Sequence, residues 1–389
     1  MAPSKPAPRA KGDLLRFTGH ANLRQRLLLS ILSGRSIRVD AIRSDDVHVG
    51  LREYEINLLR LLEKVTNGST IEINVTGTSF VFHPGLLPGG TYTHTCHLGR
   101  SLGYYLEVLI PLGPFGKSPL TVTLNGITSS SQDLSVDLLR TVTLPTLSLF
   151  GVTETELNIK RRGAAPLGGG QVVLKITPVR ALKTVQFADP GKIRKIRGIA
   201  QSTRVSPQFA NRMVESARSL LNRYIPDIHI YTDVYRGDEA GKSPGYGLAL
   251  VAQSTTDALH SAEALSSVPG KNDGVTQTPE DIGLHAARLL LESVSQGGCV
   301  DRSQQSLVLL LMVLGKEDVG RVLLGDLSAH AVQFLRDCLL FFGVKFKITP
   351  FRSEEEGEKG DGEAGHKGTG PVVASCVGVG YSNVNKAMA

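Results

Sequence analysis

Few cysteines, no long apolar run and no apolar leader distinguish this chain of 389 residues. Its four cysteines are far apart and form no CxxC pair, which argues against a disulfide framework and against a zinc site. The longest apolar run, "LVLLLMVLG" at 307–315, is far below the roughly 20 residues that cross a bilayer. The Pro/Ala/Lys-rich start lacks the apolar core of a secretory signal. We therefore expect a soluble protein of a reducing compartment, with no metal, no cofactor and no membrane partner.

The composition predicts a globular chain with a basic surface. Hydrophobic residues make up 41% of it, enough for a large core, and its length suits two or three domains. Lys and Arg outnumber Asp and Glu by 43 to 36, giving a formal charge of +7. A positive field attracts polyanions, and nucleic acid is the first candidate.

Apolar periodicity predicts three α/β rounds along the chain. In the first, a helix that ends at Gly34 precedes the strand "SIRVDAI", and a second helix, "GLREYEINLLRLLEKVTNG", precedes two strands. A similar order recurs from Ser101 and closes on "APLGGG". The third round includes "GRVLLGDL", the helix "SAHAVQFLRDCLLFFG" and "VKFKITP". We predict that the three units share one core, over residues 13–184 plus 285–381.

A different texture over residues 185–284 predicts an inserted small α/β domain. It begins with a basic loop, "PGKIRKIRG", and continues with a helix in which Ser206 is the predicted cap and Pro207 the first residue. Residues 1–12 are predicted to be a disordered tail, and the charged, Gly-rich stretch 353–371 a disordered loop within the core.

Four sequence blocks carry a family resemblance. They are "RRGAAPLGGG", "SVDLLRTVTLPTLSLFGV", "HPGLLPGG" and "GGCVDRSQQSLVLLLMVLG", and with them the chain resembles the RNA 3′-terminal phosphate cyclase family along nearly its whole length. "GLREYEINLLRLLEKVTNG", "GGCVD" and "SCVGVGYSNVNKA" are similar to the cyclase-like branch. The resemblance implies an α+β fold, in which a large domain of three β-α-β-α-β-β copies carries a smaller inserted α/β domain. It also implies that the branch has kept the fold and lost the cyclase reaction.

The stretch "FTGHANLR", residues 17–24, stands where the true cyclases carry a Glu and three glycines followed by Gln. Phe17 replaces the acid, Gly19 is the remaining glycine, and Ala21 replaces the Gln. Glycines let a backbone approach a phosphate closely, in front of helix N–H groups. We expect Phe17, Thr18 and His20 to crowd the triphosphate, so that ATP is not bound in the family's manner.

Three residues of the helix after Ser328 are candidate catalytic groups. His330 lies about where the family's nucleophilic histidine is expected, and a helix N-terminus favours its neutral ring. Arg336 and Asp337 could supply a cation and an acid or base to a metal-free ribonuclease. The simpler interpretation makes all three solvated surface groups. The predicted packing face of this helix consists of Val332, Leu335, Leu339 and Phe342.

A run of cations in the insert is the candidate contact with RNA or a partner, because their density within about 30 residues suits salt-dependent phosphate binding. The alternative is a solvated helix face. The candidates are Lys192, Arg194, Lys195, Arg197, Arg204 and Arg212.

Two functions remain open at this point. The first is a non-catalytic ribosome-biogenesis factor, a docking scaffold in early pre-rRNA processing toward 18S rRNA and 40S assembly. By resemblance it is located in the nucleus and nucleolus, and its partners are a large nucleolar GTPase, the pre-rRNA and the guide small nucleolar ribonucleoprotein particle. The second is an enzyme, either an endoribonuclease that cleaves pre-rRNA or a residual RNA 3′-phosphate cyclase.

Overall fold

A computed structural model describes residues 14–267, 277–351 and 370–383 of the chain. The predicted tail over residues 1–12 lies outside the described residues, and so does the predicted charged loop from residue 353 to residue 369. Within the described ranges, no helix combines the length and the apolar character that crossing a membrane requires.

The first unit is a four-stranded sheet with two helices. Its sheet has the order β1-β2-β4-β3, in which β1 and β2 are parallel and the other pairs antiparallel. α1 ends at Gly34, whose φ of 70° makes it the left-handed stop that the sequence predicts. The elements are β1 (Leu15–Thr18), α1 (Leu23–Ser33), β2 (Ile37–Asp40), α2 (Glu53–Val65), β3 (Thr70–Ile73) and β4 (Phe80–His83).

The second unit repeats this order, with the sheet β5-β6-β8-β7 and the same parallel first pair. Its second helix is interrupted by a π-helical turn at Leu139–Thr143, and Pro145 follows at the start of the next helical segment. The elements are β5 (Gly90–Thr95), α3 (Leu102–Leu112), β6 (Leu120–Gly126), α4 (Val136–Leu138), α5 (Leu144–Leu149), β7 (Thr155–Arg161) and β8 (Gly170–Ile176).

The small unit leaves the third unit directly after its first strand, β9 (Gln186–Phe187). Its sheet has the order β11-β10-β12-β13, and both helices pack on one face of this sheet. The elements are β10 (Ile193–Thr203), α6 (Gln208–Leu221), β11 (Ile228–Tyr235), β12 (Gly245–Ser254), β13 (Leu259–Leu265) and α7 (Pro279–Ser295).

The third unit resumes after α7 and has the strand order β15-β16-β14-β9, the order of the other two units read from the opposite end. Its β9 and β14 are parallel, as are the first two strands of each other unit. The predicted fold of three β-α-β-α-β-β copies with an inserted α/β unit is therefore confirmed. The elements are α8 (Gln305–Val313), β14 (Val319–Leu324), α9 (Ala329–Phe342), β15 (Lys347–Pro350) and β16 (Val372–Val377).

The observed limits of the small unit differ from the predicted insert, 185–284. β9 pairs with β14, so it is a strand of the core, although it lies within the predicted insert. α7 continues to Ser295 and buries Ile282, Ala286 and Leu290 in the small unit, so the predicted boundary at 284 falls inside a helix. A two-residue strand gives no periodic signal, and the apolar stripe of a helix does not identify the sheet that it covers.

The inserted helix and the basic segment before it also differ from the predictions. α6 begins at Gln208, with Pro207 rather than Ser206 as the cap residue, and the carbonyl of Ser206 accepts from the Phe209 amide at 3.0 Å. Most of the predicted basic loop is the first half of strand β10. The reason is that isoleucines alternate imperfectly with cations here, and a bulge between Ile193 and Lys195 interrupts the pattern.

One contiguous apolar cluster spans the three units, and the small unit has its own. A smaller third cluster joins them: Leu138 and Val142, from α4 and the π-helical turn, pack on Ala249 and Val251 of β12. The predicted shared core of the three units is thus present, and the small unit is attached through a separate apolar contact.

The packing face of α9 is the predicted one only in part, since Leu335 and Phe342 are half-buried against the core. Val332 and Leu339 are 37% and 41% exposed, whereas the buried residues of this helix are Ala331, Phe334, Asp337, Cys338 and Phe341. The predicted and observed faces are two apolar stripes displaced by one residue, and α9 carries both. Asp337 was predicted to be exposed and is fully buried.

Candidate functional site

The loop between β1 and α1 is the site at which the family resemblance predicts a phosphate. Gly19 has a φ of 76°, and Asn22 precedes α1 in a left-handed conformation without capping the helix through its side chain. Thr18 and His20 are exposed. The loop therefore still leads into a helix N-terminus, but it presents one glycine and two side chains to an approaching anion.

Phe17 does not lie in this loop's open space, which corrects the expectation that its ring crowds the triphosphate. The ring is buried and stacks on Phe341 of α9, with 5.8 Å between the centroids. The guanidinium of Arg26 lies over the other side, 4.3 Å from the ring centroid. Phe17 is a residue of the α1–α9 packing, and its effect on the site is the loss of the acid that the family has at this position.

Arg24, in the first turn of α1, is the cation nearest to the loop, and it is already paired. Its guanidinium lies 2.7 Å from the Glu107 carboxylate of α3 and donates a 3.2 Å hydrogen bond to the carbonyl of Tyr104. Burial raises the pKa of Glu107, and the charge of Arg24 opposes that shift. The pair therefore satisfies both side chains, and phosphate would have to compete with a carboxylate for the guanidinium.

A second ion pair, between Arg100 and Asp133, lies beside the first. Arg100 donates from Nε to the Asp133 carboxylate at 2.9 Å, and Asp133 is fully buried at the side chain. Arg24 also lies 3.9 Å from Asp133. Two arginines, Arg24 and Arg100, are thus paired with two acids, Glu107 and Asp133. Together these four side chains present no uncompensated positive charge to a triphosphate.

His330 lies at the start of α9, which Ser328 caps through a hydrogen bond accepted from the Ala331 amide. The imidazole is exposed, and its Nδ1 is 2.9 Å from the hydroxyl of Ser306. Partial desolvation, with a further contribution from Arg24, lowers the pKa of His330. The ring is therefore neutral at pH 7, the state that a nucleophile requires.

The enclosed cavity beside His330 is small, and the imidazole is exposed outside it. The cavity measures about 80 Å³ and is lined by Glu107, Leu134, Gln304 and Phe334 among others. Pockets that hold small molecules or cofactors usually measure about 300–1,000 Å³. A neutral histidine is thus present beside a small enclosed cavity, and the arginines described above are paired with carboxylates.

Arg336 and Asp337 do not form a catalytic pair. Arg336 is exposed and hydrogen-bonds Gln333 at 3.3 Å, whereas Asp337 points into the core. The Asp337 carboxylate accepts a 3.0 Å hydrogen bond from Gln333 and lies 3.7 Å from the Arg26 guanidinium. Burial raises its pKa, and Arg26 opposes the shift. An RNA hydroxyl cannot reach this carboxylate.

Half of the predicted RNA-contact cations are engaged in the fold. Arg197 donates to Asp227 at 2.9 Å, Arg212 lies 2.5 Å from Glu280, and Arg204 donates to the carbonyl of Gly241. The others retain their charge for a ligand: within residues 14–267, 277–351 and 370–383, no carboxylate pairs with Lys192, Arg194 or Lys195.

The ion pair between Arg24 and Glu107 was not predicted from the sequence. Glu107 was recoverable, because it is the single charged residue of α3, "LGYYLEVLIPL". Its partner was not, since Arg24 lies 83 positions earlier and no spacing rule connects them. Among the described residues, no three His, Cys, Asp or Glu side chains are grouped so that they could hold a metal.

The chain belongs to the RNA 3′-terminal phosphate cyclase family, whose sequence model matches residues 15–348. Within that family its relatives include a Homo sapiens protein named RNA 3′-terminal phosphate cyclase-like protein, which is 50% identical over 376 residues, or 96% of this chain and 98% of that protein. A Schizosaccharomyces pombe protein named rRNA processing protein rcl1 is 44% identical over 380 residues, which cover 96% of this chain and 98% of that relative.

Proposed function

We propose that this protein is a non-catalytic factor in rRNA processing, one that keeps the cyclase fold as a docking scaffold. The observation that carries the proposal is the pairing of Arg24 with Glu107, beside a cavity of about 80 Å³, where the resemblance predicts the nucleotide. A reaction that begins with ATP needs a pocket for the nucleotide and cations for its phosphates. His330 retains a suitable protonation state but has no nucleotide to attack.

The names of the relatives support a role in rRNA processing, and the family resemblance supports the cellular location and the partners. The Schizosaccharomyces pombe relative is named an rRNA processing protein, and the human relative is named cyclase-like. We therefore assign this chain to the nucleus and nucleolus, in early processing toward 18S rRNA and assembly of the small subunit. Its proposed partners are the large nucleolar GTPase of that pathway, the pre-rRNA and the guide ribonucleoprotein particle.

The outer face of α9 is the proposed surface for a protein partner. Val332, Leu339 and Leu340 are 37%, 41% and 49% exposed, and they follow one side of the helix. Apolar side chains grouped on a rigid element and exposed to water are typical of protein interfaces. This surface exists because α9 has two apolar stripes and buries the other one.

The enzymatic alternatives lack the geometry that they need. An endoribonuclease built on Arg336 and Asp337 would require both side chains at the RNA, and Asp337 is buried against Arg26. A cyclase would require ATP at His330. We therefore retain the scaffold as the proposed function.

Two assays test the proposal. Purified protein is incubated with ATP labelled at the α-phosphate and then with an RNA bearing a 3′-phosphate, with His330→Ala as the control. We expect no labelled protein and no cyclic end. In parallel, the chain replaces the relative in Schizosaccharomyces pombe, where it should support 18S rRNA formation, as should His330→Ala.

A docking variant completes the test. Leu340→Glu places a charge on an exposed position and should reduce association with precursor particles and 18S rRNA formation together, whereas Arg336→Glu changes charge nearby without removing an apolar contact. Labelled His330, or processing that stops while docking is unchanged, would refute the scaffold.

A further inference from the structure

The small sheet carries tyrosines on the face that its helices leave uncovered. α6 and α7 pack on one face, where Ile228 of β11 is buried. Because side chains alternate along a strand, Tyr231, Asp233 and Tyr235 project from the opposite face. The ring of Tyr231 is 64% exposed, and that of Tyr235 is half-buried. Two aromatic rings therefore lie in line, about 13 Å apart at the usual rise per residue.

A groove runs past these rings. The third apolar cluster covers part of the sheet face and leaves a cavity of about 610 Å³ between Arg140 and the two tyrosines. A second cavity, of about 660 Å³, shares Arg140 and Gln253 with the first and reaches Asn158 of β7. The two cavities thus adjoin, and their joint shape suits an extended chain better than a compact small molecule.

The carboxylate that lines the first cavity, that of Asp233, is paired with an arginine, whereas Glu156, Asp257 and Asp301 line the second cavity, so the proposed phosphate contacts lie along the first. The Asp233 carboxylate, which lies between the two tyrosines, is held 2.7 Å from the guanidinium of Arg162. Arg197 lines the same cavity and is paired with Asp227 at its rim. The Arg162 guanidinium is shared with Asp137, so these pairs reduce the repulsion that Asp233 and Asp227 would exert on phosphates.

Further cations extend along the same strand. Lys195 precedes Arg197 by two positions, so it lies on the same face of β10, and it pairs in register with Gln253 of the groove. Lys192 and Arg194 follow the strand outward, and both are exposed. Lys195, with no carboxylate partner in the described ranges, thus adds a positive charge beside Gln253, whose side chain donates to the Asp257 carboxylate at 2.7 Å.

We propose that this groove binds a single-stranded segment of RNA. Bases stack on Tyr231 and Tyr235. Phosphates contact Lys195 and also Arg140, whose side chain is 40% exposed and lies 3.7 Å from the Asp137 carboxylate. Every base has a π-face, so stacking tolerates sequence variation, and a single strand can turn its bases outward as a duplex cannot. Other RNA-binding modules also use a four-stranded sheet whose helix-free face carries stacking aromatics. The choice of RNA rests on the proposed function in rRNA processing.

The primary test measures the affinity of the full-length protein for a fluorescein-labelled RNA single strand of about 12 nucleotides by anisotropy. Tyr231→Ala should weaken binding about tenfold, the effect of losing one stacked base. Tyr231→Phe keeps the ring and should bind like the wild type. Tyr224→Ala is the matched control, because Tyr224 is 62% exposed after α6, outside the groove, and its loss should leave affinity unchanged.

Salt and competitors test the remaining parts of the proposal. Arg140→Ala and Lys195→Ala should each lower the slope of log affinity against log salt by about 0.7, the value for one phosphate contact of a single strand. A duplex of the same length should compete at least tenfold more weakly. Equal competition by duplex, or equal effects of Tyr231→Ala and Tyr224→Ala, would overturn the inference. So would binding of polyglutamate that depends on Tyr231 without any binding of RNA, which would assign the groove to an acidic peptide.

Replacement of the Schizosaccharomyces pombe relative separates this inference from the proposed function. If the wild-type chain supports rRNA processing but binds no RNA single strand, the inference fails and the proposed function stands. If the purified chain binds RNA through Tyr231 but does not support processing, the proposed function fails and the inference that the groove binds RNA is retained.

Discussion

Arg162 provides the sharpest test of how the small unit is held to the core. Its side chain is fully buried, donates two 2.7 Å hydrogen bonds to the Asp137 carboxylate of α4, and donates to Asp233 of β11 at 2.8 Å and Gln201 of β10 at 2.5 Å. Burial alone would lower its pKa, but the two carboxylates raise the pKa of Arg162 above the ordinary value. One guanidinium thus joins a helix of the second unit to two strands of the small one.

Arg162→Met removes this charge while keeping a side chain of similar length. It leaves Asp137, whose side chain is 1% exposed, without its close partner. Removing one member of a buried ion pair typically costs about 3–5 kcal/mol, because the remaining charge stays out of water. With an m-value of about 3 kcal/mol per molar urea, a loss of about 4 kcal/mol lowers the unfolding midpoint by about 1.3 M.

The control and the double variant decide whether the charge pair is responsible. Arg161→Met alters the exposed neighbouring arginine and should change stability by less than about 0.5 kcal/mol. Asp137→Asn combined with Arg162→Met removes both charges and should be less destabilised than the two single variants added together. Urea unfolding followed by circular dichroism measures the wild type and the four variants. If the Arg162→Met midpoint falls no further than that of Arg161→Met, the energetic argument is refuted.

Two further predictions concern buried carboxylates. Burial raises the pKa of Glu263 on β13 to about 7, so the folded state binds a proton more tightly than the unfolded chain. Protonation therefore stabilises the folded state by about 3 kcal/mol. This stabilisation is complete below pH 4.5 and is lost as the pH rises through 7. Glu263→Gln should therefore unfold at higher urea than the wild type at pH 8 but not at pH 4.5, and an equal difference at both pH values would contradict the assignment. Asp337→Asn leaves Arg26 buried without a counter-charge and should lower the free energy of unfolding by about 3 kcal/mol. Arg336→Ala should lower it by less than about 0.5 kcal/mol. Equal losses of stability in urea unfolding would show that burial does not distinguish the two positions.

Most of the fold was predictable because its signals are local. The glycine stop after α1 and the repeated order of strands and helices come from neighbouring residues, and the structure confirms them. The face of α9 was not predictable in the same way, since Ala331 and Val332 each begin an apolar stripe of the same period. What selects between the stripes is a long-range contact, in which Phe17 of β1 stacks on Phe341.

For the site, the sequence predicts only which residues of the related cyclases are missing. A sequence without the acid and glycines of the family indicates an altered loop, but it does not show which groups replace them. The Arg24–Glu107 pair and the Arg162 network join residues that are 83 and 25 or more positions apart. Ion pairs at such distances are set by the fold, and no periodicity in the sequence indicates them.

The proposed loss of the nucleotide site involves the core as well as the loop, which bears on whether one substitution could reverse it. A glutamate in place of Phe17 would occupy a buried position beside Phe341, with Arg26 as its neighbour, and Arg26 already faces Asp337. Two carboxylates would then share one buried guanidinium, and the cost of desolvating the second charge would fall on the packing of α1 against α9. Arg24 would remain paired with Glu107, so the phosphate would still lack a cation. A glutamate at position 17 would therefore destabilise the packing of α1 against α9 without freeing Arg24 for a phosphate.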